Sequence, residues 1–143
     1  MPATAEIVEA LGGSEGSRRV DSPEDLKDWI REGLPFESLE RVMDQYDINR
    51  EEISAALDLP PRTLARRKQE HRLRRDESDR LFRLVRIATR AAEVLGNREK
   101  AARWLHTPNR ALGGVKPLEL LDTDLGSRQV EDVLGRIEHG VYS

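Results

Sequence analysis

Apolar side chains recur along this chain at intervals of three and four residues, the spacing that places them on one face of a helix. Ser22 and Pro23 precede one such set, which includes Leu26 and Trp29. Ser is a favoured N-cap, Pro suits the first helical position, and a glycine such as Gly33 is typical of a helix end. The pattern therefore predicts a helix from Pro23 to about Gly33.

Two further helices and a tight turn are predicted in the next part of the chain. The apolar stripes are Phe36, Leu39, Val42 and Met43 in the first segment, and Ile53, Ala56 and Leu57 in the second. Asn49 is placed as the N-cap of the second, and only residues 58–60 separate it from Pro61, which opens a third helix containing Leu64. Two short helices joined by a turn of three or four residues form a helix-turn-helix.

The rest of the chain is also helical in pattern. A long apolar stripe predicts a helix from Asp76 to Gly96, and a shorter helix follows from Arg98 to Leu105. A closing helix is predicted from Val130, Val133, Leu134, Ile137 and Val141. Because no segment has the alternation of a strand, we predict an all-α fold, with an N-terminal helix-turn-helix domain joined by a long helix to a small helical C-terminal domain.

These elements suggest three parts. Residues 1–21 contain one short apolar group, Ile7, Val8 and Leu11, followed by a run of Gly, Ser and charge, so a flexible N-terminal arm is expected. Residues 22–96 are expected to form the helix-turn-helix domain. Residues 97–143 are expected to form the C-terminal domain, which ends in a tail.

The charge of the chain is unevenly distributed. The formal net charge is −3, with 36% charged residues. Between Pro61 and Arg90, however, ten Arg and one Lys stand against four carboxylates, so the remainder is strongly acidic. A chain divided in this way is expected to meet a polyanion with one surface and a different partner with another.

The basic segment coincides with the second helix of the helix-turn-helix, which lies in the DNA major groove in proteins of this type. We expect its outward side chains near the N-terminal half to reach base edges, and the following cations to bind phosphates. The residues predicted to reach bases are Arg62, Thr63, Arg66 and Arg67, and those predicted to bind phosphates are Lys68, Arg72, Arg74 and Arg75. The alternative is that this basic face is only solvated.

The sequence carries no pattern typical of an enzyme. It has no cysteine, so disulfides, zinc–thiolate sites and thiol nucleophiles are excluded. Its three histidines, His71, His106 and His139, are scattered, and its glycines do not form a phosphate loop. We therefore predict no enzyme activity, no cofactor and no metal. With no leader peptide or apolar run long enough for a membrane span, the protein is expected to be cytoplasmic, without a membrane partner.

The stretch HTPNRALGGVKPLELL, residues 106–121, has an unusual content of Pro and Gly. Pro108 opposes helix, Asn109 suits a cap, the two glycines permit positive φ, and Pro117 opens a short helix. This predicts a compact joint between helices. The tail that follows Gly140 exposes Val141 and Tyr142, which suggests insertion into a pocket of a partner; a frayed terminus is the alternative.

The C-terminal third resembles a known family. Residues 101–143 contain a Trp-Leu pair, Pro-Asn, the segments ALGG and PLELL, and a closing helix with a glycine-bearing tail. In this they resemble the toxin-binding domain of the Xre/MbcA/ParS family of antitoxins. Residues 59–96 are similar to the Xre-like helix-turn-helix part of the same proteins, so the resemblance covers about residues 33–143.

The resemblance implies the antitoxin of a type II toxin–antitoxin pair, most often with a RES-domain toxin that consumes NAD. It implies that the C-terminal domain holds the toxin inactive with its end near or in the active site. It also implies that the protein represses its own promoter by binding operator DNA as a homodimer, and forms a larger hetero-oligomer with the toxin. The expected toxin contacts are Arg110 and Lys116 at the rim, and Arg136, His139, Gly140, Val141, Tyr142 and Ser143 in the tail.

Two other functions stay open at this point. One is a helix-turn-helix transcriptional regulator with no toxin, whose C-terminal domain only dimerises. The other is an adaptor that uses the same C-terminal domain to bind a structural protein. Copurification from the native operon separates them, because only an antitoxin is expected to bring a toxin with it.

Overall fold

The structure is a computed structural model that describes residues 4–14 and 18–140. Within these ranges it contains α-helices and two short 3-10 helices, with no strand beyond two isolated bridges, so the all-α prediction is confirmed. The α-helices are α1 Thr4–Ala10, α2 Pro23–Glu32, α3 Phe36–Tyr46, α4 Arg50–Ala56, α5 Pro61–Glu70, α6 Arg75–Leu95, α7 Arg98–Leu105 and α8 Asp124–Glu138. The 3-10 helices are Arg110–Leu112 and Pro117–Leu120.

The predicted helix starts are set by side-chain caps. The Ser22 hydroxyl accepts the Asp25 backbone N–H at 3.1 Å, which begins α2. The Asn49 side chain accepts the Glu52 N–H at 2.8 Å, and Glu52 accepts the Asn49 N–H at 2.9 Å, a complete capping box for α4. These local bonds explain why both starts were predictable from the sequence.

The helix-turn-helix is formed by α4 and α5. Four residues, 57–60, connect them, and Asp58 takes the left-handed conformation with φ 52°. Leu57 and Leu59 of this turn are buried, and the Arg80 guanidinium of α6 donates to the Leu57 carbonyl at 3.1 Å. These contacts hold the turn against the long helix α6.

The long helix α6 is the centre of the molecule. It packs against α1, α2, α3, α7 and α8, and its inner face is fully buried. The residues of that face include Leu81, Leu84, Val85, Ile87, Ala88 and Ala91. Gly96 ends the helix with φ 113°. This one helix thus packs against helices that precede and helices that follow the predicted domain boundary at residue 96. The boundary itself stays a prediction.

Residues 1–21 were expected to be a flexible arm, and for the described part of this segment that expectation is wrong. Thr4–Ala10 is helical, and Ile7, Val8 and Leu11 are buried against the core. The Ser38 hydroxyl donates to the Leu11 carbonyl at 2.6 Å, and the Gln45 side-chain amide donates to the Ala10 carbonyl at 3.0 Å. The short apolar group therefore outweighs the Gly- and Ser-rich run after it, because α3 and α6 provide a surface for it.

Candidate nucleic-acid and protein interfaces

Of the eight predicted DNA-contacting residues, six are exposed, one is half-buried and one is buried. The exposed cations, which we call the basic surface, lie on α5, on the turn after it and at the start of α6. They are Arg62, Arg66, Lys68, Arg72, Arg74 and Arg75, while Thr63 beside them is half-buried. Of these, the side chains of Arg62, Arg66 and Arg75 form no ion pair with any other described residue. Such side chains are available to a polyanion.

Arg67 was expected to face outward and reach a base, and the outward orientation is wrong. The residue is only 4% exposed, and its guanidinium forms ion pairs with Glu77 at 2.8 Å and with Glu70 at 3.0 Å. Hydrogen bonding to Glu77 raises the pKa of the Arg67 guanidinium above its ordinary value. The Arg67 side chain therefore points into the protein, where it is protonated and its charge is balanced by the two glutamates.

Four further arginines counted in the basic segment are also used internally. They occupy successive turns of α6, and we call them the arginine ladder. Arg80 binds the Leu57 carbonyl, Arg83 the Leu121 carbonyl at 3.1 Å, Arg86 the Glu131 carboxylate at 3.0 Å, and Arg90 the Glu138 carboxylate at 3.4 Å. All four are half-buried. The ladder therefore joins α6 to the helix-turn-helix at one end and to α8 at the other, and adds little to the outward charge.

The stretch at residues 106–121 forms the predicted joint. Asn109 is 8% exposed; its N–H donates to the Val115 carbonyl at 2.9 Å and its side chain accepts the Ala111 N–H at 2.9 Å. Gly113 and Gly114 have φ of 75° and 83°, so they close this loop in a conformation that glycine adopts at little cost. Leu118 and Leu121 are buried in the common core.

His106 links the joint to the helix-turn-helix. Its Nε2 lies 3.1 Å from the Tyr46 carbonyl oxygen, and its Nδ1 lies 3.2 Å from Glu52. Glu52 is also the residue that completes the cap of α4. The histidine is therefore a structural contact between α7 and the start of the helix-turn-helix.

The predicted partner contacts lie at two exposed places. Arg110 is exposed on the loop closed by Asn109, while Lys116 is half-buried. Arg136, His139 and Gly140 are exposed at the carboxyl end of α8. Val141, Tyr142 and Ser143, which were expected to enter a partner, lie outside the described residues. The role of all these residues in partner binding stays a prediction.

Several important contacts were not apparent from the sequence. The Arg67–Glu77 pair joins residues ten positions apart across a turn, and the arginine ladder reaches carboxylates 45 and 48 positions away. The only available signal was the spacing of Arg80, Arg83, Arg86 and Arg90, which repeats every three or four residues and places them on one helix face.

Within the described ranges, no helix combines the length and apolarity that crossing a membrane requires. The same part of the chain holds no cluster of three or more His, Asp or Glu side chains arranged to bind a metal ion.

Comparison with known proteins identifies both halves of the chain. Residues 25–86 match the model of the antitoxin Xre-like helix-turn-helix domain. Residues 90–140 match the model of the antitoxin Xre/MbcA/ParS C-terminal toxin-binding domain. The two matches meet within α6, so the basic surface lies in the first and the joint and α8 in the second.

The chain is also similar to curated proteins over most of its length. Antitoxin Xre of Yersinia enterocolitica is 36% identical over 135 residues, which span 93% of this chain and 86% of that protein. Antitoxin Xre of Photorhabdus laumondii is 34% identical over 116 residues, 80% of this chain and 78% of that protein. A Sphingobium protein with the name Prs ADP-ribosylating antitoxin is 26% identical over 132 residues, 85% of this chain and 83% of that protein.

Proposed function

The chain belongs to the Xre family of antitoxins, and on that premise we propose that it neutralises a RES-domain toxin that degrades NAD and represses its own operon as a cytoplasmic homodimer. The family is one of antitoxins with a DNA-binding and a toxin-binding domain, not of enzymes. The protein is therefore the antitoxin of a toxin–antitoxin system. It binds DNA and has a cognate toxin as its partner. The identity of the toxin, the mode of inhibition and the homodimer are the proposal.

The observation that carries the proposal is the exposed carboxyl end of α8 within the region that matches a toxin-binding domain. Arg136, His139 and Gly140 lie on the surface there, and α8 is bound to α6 by Arg86 and Arg90 of the ladder. A helix that is packed on the core and has an exposed carboxyl end is suited to presenting that end to a partner, because the helix itself does not have to order on binding. We propose that residues 139–143 occlude the active site of the toxin.

The DNA part of the proposal rests on the basic surface. Arg62 and Arg66 lie among the first six residues of α5, the helix whose N-terminal half reaches base edges in helix-turn-helix proteins. Arginine donates two hydrogen bonds to guanine in a fixed geometry, which gives sequence discrimination. Arg74 and Arg75 lie at the start of α6, where we propose that they bind phosphates.

Separable lesions test this assignment. Arg62→Ala combined with Arg66→Ala is expected to weaken operator binding at least about tenfold, because each such contact contributes about 1–3 kcal/mol of discrimination. The double variant is expected to neutralise the toxin as well as the wild type does. Deleting residues 139–143 is expected to do the reverse. Mobility-shift titrations with promoter DNA and growth after toxin expression give the two readouts.

Arg128→Ala is the control for the DNA measurement, because it removes an exposed arginine from α8, outside the basic surface. Copurification of the full chain with the product of the neighbouring reading frame identifies the toxin. If the chain without residues 139–143 binds and protects as well as the complete chain, the occlusion model is wrong.

A second activity of the toxin is favoured by one comparison. The Sphingobium relative carries the words ADP-ribosylating antitoxin in its name. Incubation of the purified toxin with NAD and cell extract separates the two candidates. A degrading toxin releases free ADP-ribose or its products, whereas a transferring toxin leaves ADP-ribose attached to a macromolecule. Either activity is expected to stop when the antitoxin is added.

A further inference from the structure

The helix that carries the basic surface has little apolar anchorage. Among the ten residues of α5, only two are buried, Leu64 and Arg67. The chain at either end of α5 is anchored by Leu59 and Leu73, which are both buried. Between these anchors, a single buried leucine is a weak restraint on the rotation of the helix about its axis. The second buried side chain therefore contributes to determining which face of α5 points outward.

Arg67 is held in a directional geometry. Its Nε donates to both carboxylate oxygens of Glu77, at 2.8 and 3.1 Å, and its Nη1 donates to Glu70 at 3.0 Å. Both Arg67 and Glu77 are 4% exposed. Because two nitrogens of the planar guanidinium bind two different carboxylates, these contacts fix the orientation of the Arg67 side chain as well as its distance from Glu77.

The same carboxylate also positions the next helix. The Glu77 Oε1 that binds Arg67 accepts the backbone N–H of Arg74 at 2.8 Å, immediately before α6 begins. Glu77 thus connects the middle of α5 to the first turn of α6. These two elements present Arg66 on one side and Arg74 and Arg75 on the other.

We propose that Arg67 and Glu77 are positioning residues for operator recognition, which act by fixing the rotation of α5 and the start of α6 without touching DNA. This inference rests on the proposed DNA-binding role of the basic surface. The turn after α5 is held separately, by backbone hydrogen bonds from Phe36 to the His71 carbonyl at 3.2 Å and from Leu73 to the Leu34 carbonyl at 2.8 Å. Within α5 itself, the ion pair of Lys68 with Glu40 at 3.9 Å is solvent-exposed. An exposed pair of this kind contributes little, so the buried pair is the main polar side-chain restraint within the helix.

The rival explanation is that Arg67 leaves its pocket and contacts DNA directly. The two explanations predict opposite effects for Glu77→Gln. If charge alone governs binding, removing an acidic group beside the basic surface and freeing Arg67 strengthens DNA binding. If the pair positions α5, the same substitution weakens operator binding, although it makes the protein more basic.

The experiment is a double-mutant cycle in the full chain, with Arg67→Gln, Glu77→Gln and both together. Operator affinity is measured on promoter DNA and on a scrambled fragment, at several salt concentrations. Each single variant is expected to lose about tenfold on the promoter, similar to the loss of one base pair of the site. Binding to scrambled DNA and the slope of affinity with salt are expected to stay unchanged, because no phosphate contact is removed.

The double variant keeps the measurement interpretable. It leaves no unpaired buried charge, so it is expected to fold at least as well as either single variant. Its operator affinity is expected to match that of one single variant rather than the product of both losses, because the two side chains act as one unit. Unchanged toxin binding by all three variants excludes a general loss of structure.

Two outcomes overturn the inference. One is tighter or unchanged operator binding by Glu77→Gln; the other is a salt slope that falls by about one with Arg67→Gln, which marks a direct phosphate contact. Arg62→Ala with Arg66→Ala is run beside the cycle. The proposed function itself fails if the wild type binds the promoter no more tightly than scrambled DNA and the double-alanine variant binds both fragments as the wild type does. That result is distinguishable from a failure of the positioning role alone.

Discussion

At the scale of single residues, Gly126 and Gly135 lie in the same helix, α8, but in different surroundings. A Cβ placed on Gly126 would lie 2.1 Å from the Leu120 carbonyl oxygen, a backbone atom. A Cβ on Gly135 would have as its nearest neighbour the end of the Arg90 side chain, at 3.4 Å. The first glycine is therefore required by the close approach of α8 to the second 3-10 helix, and the second is not.

This contrast gives a matched pair of substitutions. Gly126→Ala is expected to destabilise the protein by about 2 kcal/mol or more, because backbone has to shift to admit the methyl group. Gly135→Ala is expected to be neutral or to stabilise by up to about 1 kcal/mol, since alanine is the better helix former. Thermal or urea unfolding measures both. Equal effects of the two substitutions would show that the contact with Leu120 is not close in solution.

The arginines show why residue type alone did not define the site. Arg66 and Arg67 are adjacent, equally charged and both in α5, yet one is exposed and the other is buried beside Glu77. The periodicity of α5 did not separate them, because the helix contains a single leucine to mark its inner face. The partner of Arg67 belongs to the next helix, and its proximity depends on the angle between α5 and α6.

At the scale of elements, α1 decides how much of the chain belongs to the folded core. Its apolar residues were visible in the sequence, but the glycines and serines after them indicated an arm. The surface against which α1 packs could not be predicted from the sequence, because it forms only when α2, α3 and α6 have packed together. Local patterns predicted the other helices well, because caps such as Ser22 and Asn49 act within four residues.

The contribution of α1 can be measured directly. Leu11→Ala is expected to lower the free energy of unfolding by about 2–5 kcal/mol, because Leu11 is only 1% exposed and its truncation leaves a cavity. Leu11 directly follows α1, and Glu9→Ala, on the exposed side of α1, is the control, which is expected to change stability by no more than about 0.5 kcal/mol. Urea unfolding distinguishes them. An arm without a role in the core would make Leu11→Ala as harmless as the control.

At the scale of the whole molecule, the charge asymmetry of the sequence overstates the surface available to DNA. Eleven cations lie between Pro61 and Arg90. Arg67 and the four members of the arginine ladder bind acceptors of the protein itself, so six cations remain in the basic surface. The net charge of the segment therefore agrees with DNA as a partner, but it counts five cations that are paired within the protein.

The salt dependence of operator binding measures how many cations of the basic surface contact DNA phosphates. With six outward cations, the slope of log affinity against log salt concentration is expected to be no steeper than about −5 per subunit. If all eleven cations met phosphates, the slope would approach about −10. Arg86→Gln is expected to leave the slope unchanged, because Arg86 pairs with Glu131, whereas Arg75→Gln is expected to reduce it by about one. A slope near −10 would contradict the internal role of the ladder.

The arginine ladder also limits how freely the two halves of this protein can be exchanged with those of its relatives. A hybrid joined at Gly96 would combine Arg86 and Arg90 of one parent with α8 of the other, so the two ion pairs would form only if that α8 carries carboxylates at the positions of Glu131 and Glu138. A junction placed in the turn before α6 would keep these two pairs together, but it would separate Arg67 from Glu77 and Arg80 from the Leu57 carbonyl. A hybrid therefore needs matched residues on one side of the long helix or the other.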